Sequence, residues 1–285
     1  MKTVIAIQAI ILVIFMVSCE NRRYVYASPP PNNPIFTKKG ESKIAAYGSF
    51  GGSRGWFSGS SHDSSYNYGY DLQGAYAFSK HWAATISYGR RKEMDNYYRF
   101  RINKQDPALV GYQRKMIEVG AGYFVATDKS SEIMFNLYGG IGNGDLLIED
   151  NSERNNTPVR KELSAKISKY YLQPSINFGD NRYFNMGLLA RITALHFTNI
   201  NSNYTNSEIV NLRLDQLNKP LHFFVEPSVI FSFGAPEIPW VKLGGSGTFN
   251  MNLFSPVSTR GLNCSIGLNF DVSKISGRSS SRSTN

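Results

Sequence analysis

Only two cysteines, Cys19 and Cys264, stand in 285 residues. That excludes a disulfide-dense scaffold and a cysteine-rich zinc module. Charged residues make up 18%, below the quarter usual in globular domains. The four histidines, His62, His81, His196 and His222, lack ligand spacing, so neither a metal site nor a cofactor is expected. No stretch sustains a 3.6-residue apolar period, which argues against helical bundles and coiled coils. Glycine is frequent, but without the period of three that collagen needs. The run Gly139-Gly140-Ile141-Gly142-Asn143-Gly144 ends a strand rather than opening a helix, so it is no phosphate loop. What is abundant is aromatic: 18 Phe, 17 Tyr and 3 Trp, too many for a disordered chain.

The chain opens with Lys2 and an apolar run from Val4 to Val17 broken only by Gln8. It is too short to favour a retained membrane helix and reads as a targeting segment over 1–18. Ser18-Cys19 follows it as a lipobox, making Cys19 the lipidation site; an incidental cysteine after a plain secretory signal is the alternative. Residues 19–41 carry Pro29-Pro30-Pro31 and Asn32-Asn33-Pro34. Proline this dense enters neither a helix nor a central strand. The segment reads as an extended tether, with a plug lying inside the fold as the other reading.

Beyond it the chain alternates with period two. Leu262, Cys264, Ile266, Leu268 and Phe270 are apolar, and Asn263, Ser265, Gly267 and Asn269 between them are polar or small, so one face is oily and the other wet. Ten such runs are predicted, at 42–51, 66–78, 82–92, 114–125, 132–143, 166–179, 183–197, 220–233, 240–250 and 262–272. Most reach the roughly 9–11 residues a tilted strand needs to cross a bilayer. Short connections alternate with long ones, near 52–65, 93–113, 144–165, 198–219 and 251–261. That is the habit of a barrel with tight periplasmic turns and long external loops. Phe78, Trp82, Phe124, Phe178, Phe184, Phe233, Trp240 and Phe270 flank the short turns; Tyr68, Tyr88, Tyr170, Phe197, Phe223 and Phe249 flank the long loops, as two interfacial girdles would. The other reading of these aromatics is a soluble β-sandwich with an aromatic inner face, but a sandwich predicts neither the loop-length alternation, the ten even runs nor the lipobox. The fold class is therefore all-β: a transmembrane antiparallel up-and-down β-barrel of about ten strands, eight being the other count, over 42–272. The Ser-rich basic tail 273–285 reads as disordered. An even strand number puts both chain ends on the periplasmic side.

The wet face then points into the barrel. It carries Asp71, Gln73, Arg91, Glu118, Arg191, His222, Glu226 and Lys242, of mixed sign, as an internal ion-pair network requires. Small Gly120, Gly122, Gly187 and Gly244 should leave room for the long Arg and Lys stems. The connection over 90–115 holds eight bases, Arg90, Arg91, Lys92, Arg99, Arg101, Lys104, Arg114 and Lys115, against Glu93, Asp95 and Asp106. At the external headgroup level such a loop fits lipopolysaccharide phosphate, with a plain solvated loop as the other reading. The net charge of +10 does not imply nucleic acid, which a secreted barrel does not meet.

The order of features resembles a group of outer-membrane β-barrel lipoproteins of Bacteroidota-type bacteria: the lipobox cysteine, the segment Tyr24-Val25-Tyr26 through Asn33-Pro34, Lys39-Gly40-Glu41-Ser42 opening the first strand, the hairpin Gly74 to Trp82, and Leu172-Gln173-Pro174-Ser175-Ile176. The resemblance implies a lipid-anchored barrel of the outer membrane and carries no catalytic residues with it. The expected role is structural, or as a scaffold in a larger outer-membrane complex; the alternatives are a narrow channel and a barrel enzyme acting on surface lipid or peptide. Ten-stranded outer-membrane proteases need acids and a histidine gathered at the external rim. The candidates here, His196, His222, Asp63, Asp145, Glu149 and Asp150, form no tight pattern, so no enzyme activity is expected.

Overall fold

A computed structural model of the chain describes residues 23–51, 65–98, 107–127, 132–154, 157–179, 183–253 and 257–275. The targeting segment, Cys19, Arg99, Arg101, Lys104 and the tail from 276 lie outside the described residues. Ten strands form one closed antiparallel barrel: β2 (Ser42–Phe50), β3 (Ser65–Tyr76), β4 (Trp82–Tyr98), β5 (Pro107–Ala126), β6 (Ile133–Arg154), β7 (Thr157–Phe178), β8 (Phe184–Ser202), β9 (His222–Gly234), β10 (Val241–Phe249) and β13 (Leu262–Asp271). Consecutive strands pair, and β13 returns to β2 with Leu268 opposite Ala46. Three short strands complete the set: β1 (Tyr24–Tyr26), β11 (Met251–Leu253) and β12 (Ser258–Thr259).

All ten expected strands are present. One mouth of the barrel carries the short turns over 77–81, 127–132, 179–183 and 235–240, together with the start of β2 and the end of β13. Residues 272–275 leave β13 as a helical turn, with Lys274 paired to Asp271 at 3.1 Å.

At the other mouth the alternation of loop lengths fails. Most of the connections expected at 93–113 and 144–165 are strand, and β6 joins β7 through 155–156 alone. The reason is a phase inversion. Near the short turns the outward residues of β6 and β7 are apolar (Ile133, Phe135, Leu137, Ile141; Leu172, Tyr170), while Asn136, Gln173, Ser175 and Asn177 are buried. Further along, Asn143, Asp145 and Lys166 face outward, and Leu146, Ile148, Leu163, Ala165 and Ile167 are buried. The same two-residue period runs on with its apolar side turned inward. Below the inversion the wall suits lipid; above it the wall suits water.

The inverted part encloses an apolar cluster. Val110, Tyr112, Leu146, Ile148, Leu195, Phe197 and Phe224 come from the wall, and Leu214 and Leu217 from the connection over 203–221. That connection folds back over the mouth as helix α1 (Asn206–Asn211) and a short 3-10 helix (Leu214–Asn218). A reciprocal cap starts α1: the Glu208 carboxylate accepts from the Thr205 backbone N–H at 2.8 Å, and the Glu208 N–H donates to Thr205 Oγ1 at 3.4 Å.

The proline-rich segment corrects the tether reading. It is extended, as its prolines require, but from Arg23 to Phe36 it lies inside the barrel, with Val25, Tyr26, Ser28 and Phe36 almost fully buried. Arg23 pairs with Asp150 near the long-connection mouth, and Tyr24 and Tyr26 run beside Ser258 and Thr259 in the β10–β13 connection. The strap then descends the lumen and reaches β2 at the short-turn mouth, where the Gly40 N–H donates to Ala77 O at 2.8 Å. Arg23 and Asp271 therefore lie at opposite mouths, so the expectation that both chain ends share one side does not hold for the described chain. Backbone carbonyls between prolines have no ladder to join, and inside the barrel wall side chains replace water as their donors, Gln73 on Pro30 O and Gln173 on Asn32 O.

Candidate functional site

The lumen is occupied by the strap and by charges that the wall strands send inward from alternate positions. Nearest the long-connection mouth, Glu93 accepts from Arg114 Nη1 at 2.5 Å and from Arg260 Nε at 2.7 Å. Arg260 also reaches Asp95 at 2.5 Å and lies 4.3 Å from the centre of the Tyr24 ring. Arg114 donates from Nη2 to Tyr24 O at 2.6 Å and from Nε to Val25 O at 3.2 Å. Two arginines thus clamp the strap's backbone and ring while sharing one carboxylate.

Midway down, Lys169 Nζ donates to Glu118 Oε1 and to Tyr26 Oη, both at 2.8 Å. The Tyr26 hydroxyl donates to Glu226 at 3.0 Å. Arg191 lies opposite Glu226 in the β8–β9 register; it reaches Glu118 at 3.4 Å and Gln173 Oε1 at 2.6 and 2.9 Å. On the far wall Arg91 meets Asp71 at 3.4 Å and Ser49 at 3.1 Å. Toward the short turns the partners become neutral. Gln73 donates to Pro30 O at 2.8 Å, Gln173 to Asn32 O at 3.1 Å, and Asn33 to Asn177 at 2.9 Å. Phe36 packs on Phe124 with ring centres 5.5 Å apart.

Of the residues predicted to face inward, Asp71, Gln73, Arg91, Glu118, Arg191, His222 and Glu226 are buried in the lumen. Lys242 lines its short-turn mouth, beside a cavity of about 110 Å³ bounded by Pro30–Ile35, Tyr47 and Asn269. Two of the four glycines, Gly120 and Gly122, play a different part from the one expected, while Gly187 stands against Asn177 and Ile230 and Gly244 against Asn269. A Cβ on Gly120 would lie 2.4 Å from Tyr171 Oη, and one on Gly122 would lie 2.3 Å from the Tyr138 ring. They make room for tyrosines, not for Arg and Lys stems. Phe124 and Phe197, expected in the girdles, point inward and are buried.

The sequence reading missed Arg23, Tyr26, Glu93, Asp95, Asp150, Lys169 and Arg260, all buried here. With them, among the described residues, the deep lumen holds six cations (Arg23, Arg91, Arg114, Lys169, Arg191, Arg260) and six carboxylates (Asp71, Glu93, Asp95, Glu118, Asp150, Glu226). Balanced charge in mutual contact makes no ring of one sign. The signal for three of the seven was available: Glu93 and Asp95 continue the phase of Arg91, and Lys169 that of Gln173. Arg260, in a connection, has no phase to read.

The basic connection divides. Arg91 and Arg114 are buried among carboxylates and are withdrawn from any lipid contact. Arg90, Lys92 and Lys115 face outward, and Arg90 stands directly opposite Lys115. None of the three makes an ion pair among the described residues. Tyr68, opposite Lys92, and Tyr70, opposite Arg90, are exposed beside them.

Of the histidines and the rim candidates, His62 and Asp63 lie outside the described residues, and His222 and His196 stand apart from the acids named with them. His222 is buried edge-on to Phe197, with centres 5.4 Å apart. It lies about 13 Å along β9 from Glu226. His196 Nδ1 lies 2.6 Å from Pro220 O. Among the described residues no cluster of three or more His, Cys, Asp or Glu could hold a metal.

The exterior decides what kind of barrel this is. Ile44, Leu72, Ile86, Ile117, Val119, Phe135, Ile141, Leu172, Leu188, Val229, Phe231, Leu243, Ile266 and Leu268 are each 41% exposed or more, far beyond the scattered apolar surface of a soluble protein. The chain is a transmembrane β-barrel of the outer-membrane type. No family model matches it, and no curated protein does. Solved structures similar to it include the outer-membrane protease OmpT from Escherichia coli (8% identity over 84% of this chain and 99% of that one, TM-score 0.44) and the translocator domain of the autotransporter NalP from Neisseria meningitidis (8% identity over 81% and 86%, TM-score 0.46). Outer membrane protein OprG from Pseudomonas aeruginosa is also similar (10% identity over 82% and 96%, TM-score 0.33). The likeness is one of barrel shape and transfers no activity.

Proposed function

We propose that this barrel is a sealed structural element of the bacterial outer membrane, lipid-anchored through Cys19, that braces the membrane or scaffolds a larger outer-membrane complex. The observation that carries the reading is the lumen itself. Strap residues 23–36 fill it, and Lys169, Glu118, Tyr26 and Glu226 tie strap to wall at 2.8 to 3.0 Å. A network of this kind rigidifies when every member is satisfied. On the outside, Arg90, Lys92 and Lys115 stand where the apolar band ends, with Tyr68 and Tyr70 beside them, a suitable grip for the phosphates of lipopolysaccharide.

The test is planar-bilayer recording of the purified full chain. A sealed lumen gives no steady current at any holding potential; a steady current overturns the reading. One observation favours a channel as the second reading: the strap is no part of the wall, and a cavity already lies beside it at the short-turn mouth. A chain lacking residues 23–36 that conducts while the full chain does not would make the strap a plug.

A further inference from the structure

The strap has a direction. Its Arg23 end is held by Asp150 and by the β10–β13 connection, and its Glu41 end is held at the short-turn mouth. In barrels of this type the short turns are periplasmic and the long connections external. We infer that the chain passes outward through its own barrel, so that everything ahead of Arg23 is delivered to the cell surface, and a lipid carried on Cys19 enters the membrane from the external side. The inference rests on that orientation and on the lipid anchor proposed above, and adds to them the leaflet and the surface the N-terminus serves.

Reach decides between the leaflets. Arg23 is four steps along the chain from Cys19, and an extended chain spans at most about 3.3–3.6 Å per step, so Cys19 can lie no further than roughly 14 Å from Arg23. The apolar band alone is about 25 Å tall, and Arg23 stands beyond it, at Asp150, nine positions past Ile141 on β6. A lipid on Cys19 therefore cannot reach the periplasmic leaflet while the strap is seated. Nor can the strap turn round within the lumen. Its anchors come in order along the wall: Arg114 on Tyr24 and Val25, Lys169 on Tyr26, Gln73 on Pro30, Gln173 on Asn32, Asn177 on Asn33, and Lys43 on Ile35 O. The side chains ahead of Arg23, and any lipid with them, become a surface feature that an extracellular partner or a neighbouring lipid can meet.

The experiment places one epitope at a time in the full chain: after Asn21, after Ser60 in the β2–β3 connection, and after Ser281 in the tail. Each version is first shown to give a compact band that shifts on boiling. Antibody is then applied to intact and to permeabilised cells. The expected result is staining of intact cells by the Asn21 and Ser60 epitopes, and of permeabilised cells alone by the Ser281 epitope. If Ser60 stains intact cells while Asn21 needs permeabilisation, outward passage is overturned and the orientation stands. If Ser281 alone stains intact cells, the barrel is inverted, and the orientation falls together with the inference. Should the Asn21 epitope abolish the compact band, Asn21→Cys in a Cys19→Ser, Cys264→Ser chain takes its place, labelled by a membrane-impermeant maleimide. Labelling on intact cells is then the supporting result, and labelling only after permeabilisation the contrary one.

Discussion

Lys169 Nζ and Tyr26 Oη meet 2.8 Å apart in the middle of the lumen, 143 residues apart in sequence. The lysine is fully buried and has Glu118 as its counter-charge. The tyrosine hydroxyl passes the contact on to Glu226, and its ring stacks on Phe224 with centres 5.6 Å apart. One strap residue thus joins β7 to β9 across the barrel. Tyr26→Phe keeps the ring and removes the hydroxyl, leaving Glu226 without that donor; a cost of about 1–3 kcal/mol is expected. Lys169→Met leaves the buried Glu118 short of its closest cation and should cost about 3–5 kcal/mol. Urea unfolding followed by heat-modifiable mobility measures both, and equal midpoints for Lys169→Met and wild type would remove the network from the stability of the fold.

The shared carboxylate of Glu93 makes a second prediction. Arg114 and Arg260 both end on it, and both hold the strap near Tyr24. Glu93→Gln leaves the buried Arg114 guanidinium with a neutral partner and Arg260 with Asp95 as its remaining carboxylate. The outer part of the strap should loosen first, read as faster amide exchange at Tyr24 to Tyr26 with the exchange of β7 and β8 unchanged. Uniform acceleration across the barrel would place Glu93 in global stability instead.

The exterior cations supply a third. Arg90 and Lys115 face each other directly across the β4–β5 pair, an arrangement that costs free energy unless an anion relieves it. Replacing Arg90, Lys92 and Lys115 together by Gln should weaken lipopolysaccharide binding at least tenfold and leave the heat shift intact. Affinity unchanged within twofold would end the lipid-contact reading for these residues.

The lid over 203–221 should respond to acid. Hydrogen bonding from the Thr205 backbone N–H, with help from its hydroxyl and from Lys161, holds the Glu208 carboxyl below the usual carboxylate range. A lowered folded pKa contributes stability above the ordinary carboxylate value that is lost as pH falls through the folded one. Amide exchange across Tyr204 to Asn218 should therefore quicken below about pH 4.3. Glu208→Gln should quicken it at neutral pH and flatten the dependence; an unchanged pH profile in that variant would assign the effect to other groups.

The ten strands were legible because a membrane barrel writes its two faces with period two. The mixed-sign interior was legible for the same reason: Asp71, Glu118, Arg191 and Glu226 occupy inward positions of runs that could be phased. The outer halves of β6 and β7 were not legible as strands. There the period continues but its apolar phase changes sides, at Asn143 to Leu146 and at Ile167 to Tyr170, and a reader following one oily face sees the run stop. Arg114 was placed outside for that reason, and Arg91 was assigned to both the lumen and the basic connection, since a bases-rich stretch read as a loop has no inner face. The course of the strap was beyond the sequence because Tyr26, Asn32 and Asn33 find their partners 42 to 200 residues away. Proline specifies an extended chain without specifying what surrounds it.

The most direct measurement is the reactivity of a single thiol in the strap. Ala27 is buried in the lumen and Lys39, just past its short-turn end, is exposed. Ala27→Cys and Lys39→Cys, each in a Cys19→Ser, Cys264→Ser chain, are treated with a polar maleimide in the folded state and again after boiling. The expected result is immediate labelling at position 39 and protection at position 27 until the compact band is lost. Labelling of the folded chain at position 27 as fast as at position 39 would contradict a strap seated in the lumen, and with it the sealed barrel.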